Sequence, residues 1–274
     1  MMKQIPYGIT DFSRIQKENY YYVDKTMFIE KIEMQPPYLF LIRPRRFGKS
    51  LTLAMLEAYY DVNHAEQFDE LFGQLYIGQH PTKLHNQFLI MRFNFSEVSS
   101  NVNEVERSFK LHCSSKLKDL CTNTSICLEK KFGMFLMRVY KEIPELFFYL
   151  QLILMPAVKG ISAFICLLMN MIISPIPFFQ PTVRSFYRKA THGEGFIRGF
   201  FNVIKSATTG TGAALERLFI TGVSPVTMDD VTSGFNIGTN ITNDSWFNDL
   251  VGFSEMSCVR CWNIIKSREY FKNL

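Results

Sequence analysis

The consecutive residues Gly48-Lys49-Ser50 have the types and order that bind phosphate. Glycine lets the backbone turn left-handed and lets a ligand approach the chain closely. A lysine ammonium at the next position reaches the outer phosphate oxygens, and a serine hydroxyl after it ligates Mg²⁺. If a helix begins there, its free N–H groups complete the anion site. Arg45 and Arg46, just upstream, either add positive charge near the phosphates or stand on the surface. The strict phosphate-loop pattern asks for glycine where this chain has Arg43, and a bare Gly-Lys-Ser also occurs at ordinary solvated helix starts. Both readings stay open on these residues alone. The other chemistry-bearing group, Cys258-x-x-Cys261, has no matching second pair and no histidine at ligand spacing, so a metal site is not expected there.

The elements that must position the loop can be read from periodicity. Tyr38 to Ile42 is an unbroken apolar run after Pro36-Pro37 and predicts a buried strand. From Lys49 to Tyr60 the apolar spacing is helical, so Gly48-Lys49-Ser50 sits at a strand–loop–helix junction. Asp24 is expected to cap a helix that places Phe28, Ile29 and Ile32 on one face. Phe88 to Phe95 predicts a second strand, Val105 to Leu120 a helix, His192 to Ala207 another, and Leu218 to Val223 a third strand. Strands alternating with helices imply an α/β layered sheet.

Composition narrows the classes. Of 274 residues, 47% are hydrophobic and 20% charged, which excludes a disordered or collagen-like chain. The net charge of +5 is not spread evenly: residues 1–121 carry 15 basic against 14 acidic groups, 122–186 carry 6 against 3, and 187–274 carry 9 against 8. Two nearly neutral flanks do not make a nucleic-acid polycation. Met1 to Phe12 lacks a signal-peptide pattern, so a cytoplasmic location with reduced thiols is expected.

The middle departs from the rest. Between Glu145 and Gln180 the single charge is Lys159, and residues 160–180 form an uncharged run of transmembrane length. Pro156, Pro175, Pro177 and Asn170 make it a poor spanning helix.

The segments IPYGITDF (5–12), YYYVDKTMFIEKI (20–32), FLIRPRRFGKSLTLAMLEAYYD (40–61), THGEGFIRGFFNVIK (191–205) and LFITGVSPVTMDDVTSGFNI (218–237) together resemble the bacterial AAA-ATPase-like family. The resemblance covers about residues 3–121 and 187–255, and the family writes its loop with Arg-Pro-Arg-Arg, which accommodates Arg43. It implies a P-loop NTPase-like α/β domain that binds ATP and Mg²⁺, often followed by a PD-(D/E)xK nuclease-like domain that is not expected before Leu274. Carried over by residue, Gly48, Lys49 and Ser50 take the phosphates and Ser50 the metal. Thr221 and Ser224 stand where a γ-phosphate sensor is placed, or form only a strand-end turn ahead of Pro225. Tyr20 to Asp24 either shape the nucleotide pocket or pack the N-terminal helix, the second being preferred.

Hydrolysis in this class needs a hydrophobic strand ending in acidic residues, which help hold Mg²⁺ and orient the attacking water. The family implies Asp-Glu before THGEGF, but this chain has Leu168-Met169-Asn170-Met171. Codons read from each third base force Glu across Met169–Asn170 and Asp across Met171–Ile172, and permit Asp-Glu-Tyr-Asp overall. The same shift forces Leu at Cys261 and Glu at Trp262, and lets Arg260 to Ile264 read Met-Leu-Glu-Tyr-Tyr. Residues 122–186 and the tail 256–274 therefore read as out-of-frame sequence within and after a 1–255 ATPase-like domain, with a divergent membrane-associated insertion as the alternative.

The expected function is ATP binding with hydrolysis impaired and the core incomplete across 122–186. The alternatives are a nucleotide-binding interaction module that does not hydrolyse, or a membrane-anchored protein held by 146–180. A protein partner or homo-oligomer is compatible with the first two. Nucleic acid is not supported by the charge.

Overall fold

The computed structural model describes residues 3–99, 101, 103–123, 164–171, 196–208, 215–223 and 236–267. In chain order the elements are helices α1 (Phe12–Lys17) and α2 (Phe28–Glu33), strand β1 (Tyr38–Ile42), helices α3 (Lys49–Tyr60), α4 (Phe68–Phe72) and α5 (Tyr76–Gln79), strand β2 (Phe88–Asn94), helix α6 (Val105–Asn123), strand β3 (Phe164–Met171), helix α7 (Phe196–Ala207), strands β4 (Leu215–Gly222) and β5 (Thr239–Asn240), and helix α8 (Glu255–Ser267).

The five strands form one sheet in the order β2-β3-β4-β1-β5, and every pairing is parallel. Parallel strands are buried on both faces and so read as continuous apolar runs, as in Tyr38 to Ile42. Alternation along the strands assigns the two faces. Leu39, Leu41, Phe219, Phe88 and Ile90 join a core with α1 to α5. Phe93, one residue out of phase, lies edge-on to Phe200 of α7, and Phe95 and Phe109 complete that aromatic cluster. The chain is thus a P-loop NTPase-like layered sheet with helices on both faces.

The expected elements at Tyr38–Ile42 and Lys49–Tyr60 form with those limits, and those near Phe88 and Val105 form within a few residues. Of the helix expected from His192, Phe196–Ala207 is described and helical. The strand anticipated at Leu218 begins at Leu215 and is fourth rather than third.

The central strand β3 changes the reading of the middle segment. The core was expected to be incomplete across 122–186, yet within that segment Phe164–Met171 pairs with β2 on one side and β4 on the other. The prolines at 156 and 175 lie outside these limits in the sequence, and strands of parallel sheets commonly read as apolar runs without polar alternation. The rest of 124–186 lies outside the described residues.

Asp24 also acts differently from the expected helix cap. α2 begins after Met27 with no side-chain cap. Instead, Asp24 Oδ1 accepts from the Thr26 amide (2.8 Å) and hydroxyl (2.7 Å), while Oδ2 accepts from the Tyr76 amide (2.8 Å). Thr26 Oγ1 then accepts from the Ile77 amide at 3.2 Å. The Asp24-Lys25-Thr26 turn is therefore a clamp that fastens the start of α5 to the N-terminal segment. Asp24→Ala leaves several of these donors without their acceptor and should lower stability by about 2 kcal/mol, with Asp24→Asn losing about half as much. Urea midpoints for the three proteins measure this, and equal midpoints would show that the clamp contributes nothing.

Candidate phosphate site at the end of the central strands

Paired residues define the carboxyl edge of the sheet. Asn94 pairs with Asn170, Asn170 with Thr221, and Thr221 with Leu41, so one row crosses β2, β3, β4 and β1. The loop from Arg43 to Gly48 leaves β1 just beyond that row. β1 lies where the strand order reverses, with the next strand in sequence far to one side and β5 on the other. Open α/β sheets bind ligands at the carboxyl ends of strands at such a point.

Gly48 has φ +87°, and a Cβ built there would meet no protein atom within 4 Å. The glycine is therefore required by its backbone angle, not by crowding, and the amides at the start of α3 remain approachable. Thr52 closes the first turn of α3, its amide donating to the Gly48 carbonyl at 2.9 Å. Arg46 is a second left-handed residue in the loop, with φ +66°, a conformation that costs a non-glycine residue about 1 kcal/mol or more. Arg45 and Arg46 are exposed, as is Phe47.

Lys49 is 4% exposed, and its ammonium donates to the carbonyl oxygens of Arg43 (2.9 Å) and Pro44 (2.6 Å). Burial, and secondarily the charge of Arg45, hold its pKa below the usual lysine range. The positive charge thus sits inside the curve of its own loop, against neutral carbonyls. Ser50 follows as the second residue of α3, and its carbonyl accepts from Arg92 at 3.2 Å.

Thr221 is fully buried at the end of β4, and its hydroxyl has no hydrogen-bond partner among the described residues. A buried orphan hydroxyl calls for an explanation such as a ligand or ion that it would contact. Ser224, paired with it as a sensor candidate, lies outside the described residues. Within Tyr20 to Asp24, the Tyr22 ring lies edge-on to Phe12, 5.4 Å between centroids, and Asp24 forms the clamp. Tyr21, Tyr22, Lys25, Phe28, Asp249 and Met256 also line a cavity of about 780 Å³. The turn at 249–252 reaches from this cavity to the loop, where the Gly252 amide donates to the Phe47 carbonyl at 2.8 Å. Gly252 has φ +83°, and a Cβ there would lie 3.1 Å from the Phe47 ring.

Two residues that support the loop went unread in the sequence. Arg92 forms a 2.7 Å ion pair with Glu57 as well as reaching Ser50, which fixes α3 on β2. The signal was available, since Arg92 shares the α3 face of its strand with Phe88 and Ile90 by alternation. The other is Arg43, which was read only as a departure from the glycine pattern.

Glu97, just past β2, is half exposed. Its carboxylate accepts from Asn94 Nδ2 at 2.8 Å and lies 3.5 Å from His112 Nδ1. His112 Nε2 accepts from the Asn94 amide at 3.1 Å, which requires the proton on Nδ1. Burial holds the His112 pKa below 6.5. A histidine with a depressed folded-state pKa favours folding above its ordinary value, and this contribution fades as the pH falls through the folded value. Wild type is therefore expected to lose stability below pH about 6.5 more steeply than His112→Gln. Parallel pH profiles of the two melting temperatures would reject the assignment.

Cys258 and Cys261 are free thiols on α8, and among the described residues no group of three or more His, Cys, Asp or Glu side chains is disposed to hold a metal. Among those residues no helix is long and apolar enough to cross a membrane.

A family model described as a predicted AAA-ATPase matches residues 6–154, more than half of the chain. An Azotobacter chroococcum mcd 1 protein described as an uncharacterized protein in the vnfD 5′ region is 51% identical over 55 residues, which are 20% of this chain and 11% of that protein. The chain thus spans about a tenth of the length of that curated relative. No solved structure matches. With the loop at the carboxyl edge of a parallel sheet and the family match across it, the chain belongs to the AAA-ATPase-like family.

Proposed function

We propose that this chain is an ATP-binding domain whose hydrolytic step is impaired. The observation that carries the reading is the Arg43-to-Ser50 loop at the carboxyl edge of the sheet, with the Lys49 ammonium turned into it. The open approach to Gly48 fits a bound phosphate, and so does a lysine held only by neutral carbonyls. Gly48 and the first amides of α3 would cradle the phosphates, Lys49 would contact the outer oxygens, and Ser50 would ligate Mg²⁺. Arg45 and Arg46 would add positive charge at the mouth, and Thr221 would read the terminal phosphate. The cavity beside the 249–252 turn would seat the nucleoside, its volume being in the range of small-ligand sites. When bound, Mg²⁺ would neutralise charge on the phosphates.

Impairment follows from the end of β3. Leu168-Met169-Asn170-Met171 contains no carboxylate, although β3 is separated from β1 by one strand, roughly 10 Å across the sheet. An acidic pair there would stand within reach of a metal held by Ser50. A domain spanning 1–255, with out-of-frame sequence over 122–186 and 256–274, accounts for this lack. It also accounts for the exposure of Met256, Val259 and Trp262 on α8. A non-hydrolysing interaction module shares the same binding site. The pairing of Phe164–Met171 within the sheet favours both readings over a membrane anchor at 146–180. We assign the domain to the cytoplasm on the same reading. Titration of the full chain with a fluorescent ATP analogue, with and without Mg²⁺, tests it: saturable Mg²⁺-assisted binding is expected, and none would refute it.

A further inference from the structure

Position 43 does not need a glycine here. The left-handed residues of the loop are Arg46 and Gly48, and Arg43 is not among the positive-φ residues. Its side chain is free to do something else, and it turns toward the scaffold. Arg43 Nη1 donates to its neighbour's carbonyl, Ile42 O, at 3.1 Å and to the carbonyl of Thr242 just beyond β5. Thr242 reciprocates, its hydroxyl accepting from the Ile42 amide at 3.0 Å. The Arg43 amide donates to Gly222 O of β4 at 3.1 Å, and the Arg43 carbonyl is one of the two that hold Lys49. One residue therefore ties the ends of β4, β1 and the β5 turn together and presents an oxygen to the ammonium that would bind phosphate.

We propose that Arg43 is a positioning residue, a clamp that fixes the start of the loop to the β5 turn and sets the resting place of Lys49 without touching the nucleotide. The consequence for nucleotide affinity rests on the reading of the loop as a phosphate site, whereas the clamp itself does not. A planar guanidinium with several donors can serve two carbonyls at once, as a compact ammonium does less well.

The test uses the full chain as wild type, Arg43→Ala and Arg43→Lys. In the absence of nucleotide, amide hydrogen exchange at 42–50 and 240–243 is expected to quicken about 10-fold or more in Arg43→Ala, with Arg43→Lys intermediate. In titrations, Arg43→Ala should weaken ATP and ADP by the same factor, about 10-fold, with the salt dependence of binding unchanged. Arg43→Lys should recover part of that affinity. Unchanged exchange in both variants would overturn the clamp. A loss larger for ATP than ADP, with a shallower salt dependence, would show that Arg43 contacts phosphate directly and would also overturn it. If wild type binds neither nucleotide, the phosphate-site reading fails while the exchange result still decides the clamp. Should Arg43→Ala not fold, Arg43→Lys carries both measurements.

Discussion

Lys49→Ala is expected to weaken ATP binding by about 10- to 100-fold. Lys49 is the cation inside the loop, and a charge-assisted hydrogen bond to phosphate contributes about 1.5–3 kcal/mol. The free protein should change little in stability, because the Arg43 and Pro44 carbonyls that lose the ammonium belong to a partly exposed loop that water can solvate. Isothermal titration of wild type and variant, with melting curves of both free proteins, separates a binding defect from a folding defect. Equal affinities would locate any ATP site elsewhere. Lys49→Arg is not an adequate control, since a guanidinium needs more room than the buried ammonium has.

Restoring the acidic strand end should have the largest effect. The chain as it stands is expected to release phosphate at no more than background rate. A version with the shifted frame read across 122–186 writes Glu and Asp, and can write Asp-Glu-Tyr-Asp, where Leu168 to Met171 now stand. Those positions lie on β3 beside β4, with Asn170 paired to Thr221. A carboxylate there could complete a Mg²⁺ shell or orient water, and positioned acid–base groups contribute roughly 10²- to 10⁴-fold in rate. We expect Mg²⁺-dependent ATPase activity to appear in the restored version and to vanish on adding Lys49→Ala. The restored version should also be more soluble, because the shift writes acidic residues into the uncharged apolar run at 160–180. Steady turnover by the unaltered chain, lost on Lys49→Ala, would mean another acid serves. Glu97 is then the first to replace, although its carboxylate is already engaged by Asn94 and lies beside His112. Gene codons at 168–180 that forbid the acidic reading would make the segment genuine protein.

The sequence by itself determined the strand at Tyr38–Ile42, the helix at Lys49–Tyr60 and the Gly-Lys-Ser junction between them. These depend on neighbours a few residues apart: apolar periodicity, a left-handed glycine and a helix start are local properties. It also pointed to the missing carboxylates at Leu168 to Met171, through residue types rather than geometry. It did not reveal β3, because a continuous apolar run has no alternation and resembles a membrane segment as much as a strand. It assigned Asp24 to a helix cap, since the acceptor for Tyr76 N–H lies 52 residues away and leaves no local trace. Only the tertiary structure decided that Thr221 stands in one row with Leu41 and Asn170 and that Arg43 grips the turn at Thr242. The contacts of Arg43 and Ile42 with Thr242 join residues 199 and 200 positions apart in the chain. They exist because parallel pairing brings the carboxyl ends of β4, β1 and β5 together, and pairing of that kind is set by packing of the whole sheet rather than by any local pattern.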